Sequence, residues 1–153
     1  MIKYPTGLKY PLLSSTSFKQ QSNILRTEMG SGRARQRQLY QSVPTMMAAT
    51  WRLSRNQANM LESFYIHDLN ATAWFLMKIL TPRGLVDHQV RFVKSPFENF
   101  KPLGSGRWEY QTTIEIKELI TANEEQAVTS ALKPNTLEEF VLSLRNALNK
   151  YQE

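Results

Sequence analysis

Few residues of this chain have the types and spacing that chemistry requires. The two histidines, His67 and His88, form none of the HxxE, HExxH or His-x-His spacings that bring ligands to one metal ion, and both read as surface or half-buried side chains. With Cys 0, a thiolate nucleophile, a disulfide framework, an Fe–S cluster and a cysteine zinc site are excluded. Gly30-Ser31-Gly32 is followed by arginines, as in a phosphate loop, yet no strand-then-helix pattern surrounds it and no Gly-Lys-Ser/Thr follows. Glu109, Glu115 and Glu118 would suit acid and base work, but alternating charges on the solvent face of an antiparallel strand account for them better. The expectation is therefore a protein that is not an enzyme, with no catalytic residue, cofactor, metal site or small-molecule substrate.

Arginine is the residue whose placement asks for a partner. Residues 1–45 hold seven basic side chains against one acid, while residues 46–153 hold twelve of each, so the whole net charge of +6 belongs to the first 45 residues. Arg33, Arg35 and Arg37 recur at the period of two that lines one face of a strand. A ribbon bearing them would suit the phosphates and major groove of DNA, or, through the planar guanidinium, the carboxylates of a neighbouring copy. Interleaved aromatic residues would favour single-stranded nucleic acid, and only Tyr40 is near. A DNA-binding body usually carries its own basic face; the neutral balance of residues 46–153 favours the inter-subunit reading.

The elements that must position these residues follow from patterning. A length of 153 residues makes one domain, or one domain with an appendage, and 41% hydrophobic, 10% aromatic and 21% charged residues exclude collagen-like, fully disordered and coiled-coil chains. Apolar runs stay far short of the roughly 20 residues of a spanning helix, and Pro5 and Pro11 interrupt any signal-peptide core. Neither a membrane protein nor a signal-bearing precursor is expected, and no internal repeat is visible. Residues 1–45 read as an extended arm (1–23) and a basic hairpin, in which Ile24–Met29 and Arg33–Tyr40 flank Gly30-Ser31-Gly32. Such a ribbon has too little apolar surface to be stable alone.

Residues 46–118 read as the folded core. Met47, Ala49, Trp51 and Leu53 alternate as a strand, and Ser54-Arg55-Asn56-Gln57 is a capping box opening a helix over 55–69 with Ala58, Leu61, Phe64, Tyr65 and Leu69 inward. Ala73–Leu80 is apolar on both faces, which predicts a central strand, and Thr81-Pro82-Arg83-Gly84 turns it. Val86, His88, Val90 and Phe92 alternate, and after a loop over 95–106 so do Trp108, Tyr110, Thr112, Ile114 and Ile116. The expected core side chains are Trp51, Leu61, Phe64, Trp74, Phe92, Trp108 and Tyr110. This order predicts an α+β, mainly β fold, a small antiparallel sheet or sandwich with one packed helix. Residues 119–153 read as a helical appendage: a short helix over 123–132, a break at Pro134, and a terminal helix with Leu137, Phe140, Val141, Leu144, Leu148 and Tyr151 on one face.

The string Arg26-Thr27-Glu28-Met29-Gly30-Ser31-Gly32-Arg33-Ala34-Arg35-Gln36-Arg37 is followed by Trp51-Arg52-Leu53-Ser54, Ala73-Trp74-Phe75, Thr81-Pro82-Arg83-Gly84, Arg91-Phe92 and Gly106-Arg107-Trp108-Glu109-Tyr110. In that order these motifs resemble small tail or baseplate proteins of tailed double-stranded DNA bacteriophages, over about residues 8–116. The resemblance implies a tail-tube-like β-sandwich flanked by a helix, with a long hairpin joining subunits into a ring of three- or six-fold symmetry, and a virion location after synthesis in the host cytoplasm. It implies other tail and baseplate proteins as partners, with a lumen for genome passage. On this reading Arg26, Arg33, Arg35, Arg37 and Tyr40 are inter-subunit contacts. A nucleic-acid-binding accessory protein and a tail-assembly chaperone are the alternatives.

Overall fold

The computed structural model describes residues 1–121 and, beyond them, Leu142, Arg145 and Asn146, which are helical. The chain divides into two compact units, Met1–Ile120 and Thr121–Glu153. The helix expected over 123–132, the break at Pro134 and the rest of the terminal helix lie outside the described residues.

Among the described residues the chain is mainly β, with one α-helix and mostly antiparallel pairing. Its elements are β1 (Ile2–Lys3), β2 (Ser17–Gln20), β3 (Ile24–Thr27), β4 (Arg35–Gln38), β5 (Thr45–Ser54), α1 (Arg55–Ser63), β6 (Phe75–Thr81), β7 (Gly84–Phe92), β8 (Phe100–Gly104) and β9 (Arg107–Ile116). Seven strands form one sheet in the order β1-β6-β7-β9-β5-β2, with β8 beside β9, and β3 and β4 pair only with each other. Met47 of β5 and Met77 of β6, from opposite halves of the sheet, line one groove, so the sheet curves around its apolar face.

The centre of the sheet is the ten-residue antiparallel ladder of β5 on β9, which sets Trp51 opposite Tyr110, Leu53 opposite Trp108 and Met47 opposite Ile114. Period-two alternation sends these side chains inward and their neighbours outward. On the outer face, directly opposed charges close as ion pairs: Arg52 Nε lies 3.0 Å from Glu109 Oε2, and Arg91 Nε lies 2.6 Å from Glu115 Oε2. Lys101 adds a second cation 3.5 Å from Glu109. The Arg52 guanidinium holds the Glu109 carboxyl below the usual carboxylate range, against the opposing effect of burial.

Strand β5 runs directly into α1, which continues as a π-helical turn over Phe64–Asp68 and lays Ala58, Leu61 and Phe64 on the sheet. The Tyr110 hydroxyl donates to Glu62 Oε1 at 2.9 Å and ties the helix to β9; burial, with Glu62 beside it, pushes that phenol up to about 12. The expected capping box is not formed. Ser54 makes no side-chain cap bond, and the Gln57 amide instead donates to the Gly7 carbonyl at 3.4 Å.

Residues 1–23 are not a free arm. Tyr4 and Leu8 are buried in the core, β1 pairs with β6, and β2 pairs with β5. The reason lies in Trp51: its fully buried indole N–H donates to the Tyr4 hydroxyl at 3.0 Å, and that hydroxyl donates in turn to the Lys9 carbonyl at 2.5 Å. Burial pushes the Tyr4 phenol far above its ordinary range, which keeps it a donor. The ring packs edge-on to Phe64 and alongside Phe75, which stacks on Phe92.

Of the expected core residues, Trp51, Leu61, Phe64, Phe92 and Tyr110 are buried, and Trp108 is half-buried against the core. Trp74 is a correction: it lies half-exposed outside the core, with the Arg91 guanidinium 4.6 Å over its ring and Lys117 at 5.9 Å. Strand β6 is likewise covered on one face only, because Lys78 and Leu80 point to solvent while Phe75, Met77 and Ile79 are buried. The span 95–106 contains β8, an edge strand whose Pro102 sits at a register shift, followed by a turn with Ser105 and Gly106 both at positive φ.

Tyr4→Phe is expected to leave the Trp51 indole without an acceptor and to destabilise the protein by about 1–3 kcal/mol. Tyr10→Phe, at an exposed ring, serves as the control in the same urea titration; equal midpoints for Tyr4→Phe and wild type would contradict this role. For Glu109, the unfolded chain binds a proton more readily than the folded one. Its ion pair therefore adds stability above the ordinary carboxylate pKa of about 4.3, and that stability is lost as pH falls through the lower folded value. Glu109→Gln should make the unfolding midpoint fall less steeply than wild type as pH drops below the ordinary carboxylate pKa of about 4.3; parallel slopes would contradict it.

Candidate interaction surface

Strands β2 and β5 form an antiparallel pair that ends at Gln20 opposite Thr45, so residues 21–44 leave and re-enter the sheet at one point. Within them β3 and β4 pair over Ile24–Gln38, Leu25–Arg37, Arg26–Gln36 and Thr27–Arg35. The hairpin thus lies in sequence between β2 and β5, and all eight of its strand residues are exposed. Its base is fastened by the Leu39 amide donating to the Asn23 carbonyl at 2.6 Å and by the Gln38 side-chain amide donating to the Tyr40 carbonyl at 2.9 Å. At the tip, the Gly32 amide donates to the Met29 carbonyl, and Gly32 holds φ +80, a conformation that costs a residue with a Cβ about 1–2 kcal/mol.

The register assigns the arginines to two faces. Arg35 and Arg37 share one face with Thr27 and Leu25 and line a shallow cleft with them. Arg26 lies on the other face, its Nη1 donating to Gln36 Oε1 at 3.3 Å. Arg33 precedes β4 in the turn, so the period-two face expected for three arginines holds for two, because the connection spans residues 28–34 rather than three residues. Tyr40 stands just past β4, largely exposed. Among the described residues the carboxylate partners of arginine are Glu109 and Glu115, both on β9, and none is paired with Arg26, Arg33, Arg35 or Arg37.

Sequence reasoning missed two neighbouring features. Ile24, Leu25, Met29 and Leu39 accompany the arginines as exposed apolar side chains; the signal was present in Ile24-Leu25 and Gln38-Leu39-Tyr40 but was outweighed by the surrounding polar run. The second is the β6 edge, which among the described residues is paired only by β1, at Phe75 and Leu76. Beside its remaining residues Tyr10, Pro11 and Leu13 form a shallow apolar groove with Ile79, Leu80 and Leu85. An unpaired edge of this kind is a template for another strand.

The residues weighed for chemistry are placed as structure. Glu109 and Glu115 are in the cross-strand ion pairs, and Glu118 is exposed just past β9. His67 is exposed on the π-helical turn, while His88 is buried and bonded on both ring nitrogens to backbone. Among the described residues no three His, Asp or Glu side chains gather as metal ligands would. In comparisons with known proteins, neither a protein-family model nor a curated protein sequence matches the chain.

Proposed function

We propose that this chain is a structural subunit of a bacteriophage tail or baseplate, built as a tail-tube-like sandwich, and that it assembles into a ring through the hairpin over Ile24–Tyr40. The observation that carries this reading is the hairpin itself. It projects from a body that has its own core, all its strand side chains are exposed, and its four arginines have no carboxylate partner among the described residues. Arginine forks paired to carboxylates of a neighbouring copy would give directional contacts, and exposed Leu25 and Tyr40 would supply apolar area between them. The open β6 edge supports the same reading, since head-to-tail contacts between unlike surfaces of identical subunits close into rings.

The same free arginines favour a second reading, in which the ribbon follows nucleic-acid phosphates. Both are tested with Arg33→Ala/Arg35→Ala/Arg37→Ala. Because these side chains are exposed, the thermal midpoint of the monomer should stay within about 2 °C of wild type. Sedimentation velocity should show wild-type oligomers disappearing in the triple variant. Oligomers that persist unchanged would contradict the ring proposal. A wild-type monomer whose binding to duplex DNA weakens steeply with salt would transfer the hairpin to the nucleic-acid reading.

A further inference from the structure

Where the chain leaves the sheet it is held by a histidine. Past Ile116 the Lys117 amide donates to the Gln89 carbonyl at 3.0 Å, adding one more bond between β7 and the chain leaving β9. Leu119 then packs against the core, and the Ile120 amide donates to Nε2 of His88 at 3.2 Å. The other ring nitrogen, Nδ1, lies 2.9 Å from the Val86 carbonyl oxygen. A carbonyl can only accept and an amide N–H can only donate, so Nδ1 bears the hydrogen and Nε2 presents its lone pair. The fold therefore requires the neutral ring in one tautomer, on a side chain that is 2% exposed.

The charged groups around that ring are few. Asp87, Lys117 and Glu118 line the recess that leads to it. From β6 the residue opposite is Met77, and Lys78 of that strand lies opposite Asp87. The ring's hydrogen-bond partners are both backbone groups, with no carboxylate among them.

We infer that His88 is a proton-operated latch on the exit of the chain from the sheet. Neutral, it holds Ile120. A proton taken from solvent onto Nε2 forms an N–H there, sets donor against donor, and breaks the bond to the Ile120 amide. Protonation turns an imidazole nitrogen from acceptor into donor. Ile120 is the last residue of the first compact unit, so the latch acts at that unit's end.

The test uses the full-length chain and nitrogen NMR. At pH 7.5 the His88 ring should be the Nδ1–H tautomer. After correction for intrinsic exchange, the Ile120 amide should lose about tenfold of its hydrogen-exchange protection along the His88 titration curve, while Lys117 keeps its own. His88→Gln, whose side-chain oxygen can accept but does not titrate, should keep Ile120 protected throughout. An Nε2–H tautomer, Ile120 protection that survives ring protonation, or loss only together with Lys117 in global unfolding would each overturn the latch. If His88→Gln does not fold, the tautomer and the paired exchange curves of wild type decide alone.

Discussion

The indole of Trp51 is fully buried at the middle of the β5–β9 ladder, and its one donor must find an acceptor there. The acceptor comes from far away in sequence, from the Tyr4 hydroxyl, and much else follows from that bond. It draws residues 1–9 onto the body, brings β1 alongside the start of β6, and adds the Tyr4 ring to the aromatic cluster with Phe64, Phe75 and Phe92. Because β1 is only two residues long, the rest of β6 has no second strand partner among the described residues and lies beside the groove.

With both flanks of residues 21–44 bound to the body, the hairpin between them has no part in making the core. Its root is fixed by the pairing of β2 with β5. An isolated two-stranded ribbon is marginal in water, so its exposed apolar and arginine side chains gain most from a surface supplied by another molecule. Among the described residues Arg52 and Arg91 of the body are paired with Glu109 and Glu115, whereas the hairpin arginines have no carboxylate partner. This division between a self-sufficient sheet and an unsatisfied extension underlies the proposed role in assembly.

The legible parts of the fold are those where one strong pattern acts alone. Strands β5, β7 and β9 show strict alternation, and the helix shows its apolar stripe, so their inward residues can be named from sequence. Tyr4 could not be, because a tyrosine beside Pro5 looks like loop and its partner is 47 residues away. Trp74 was misplaced because Ala73–Leu80 is apolar but for Lys78, and only the fold brings Arg91 and Lys117 against its ring. Strand β8 was hidden by Pro102, which an edge strand tolerates. In the candidate surface the arginines and the glycine-marked turn were readable. The exact faces were not, since they depend on a register set at the hairpin base by Asn23 and Leu39.

The most direct test of the proposed role is quantitative mass spectrometry of purified, nuclease-treated phage particles from a lysate in which this chain is made, with copies counted against the major tail-tube protein. The account predicts a small, fixed copy number that is a multiple of three. Absence of the chain from finished particles would contradict it.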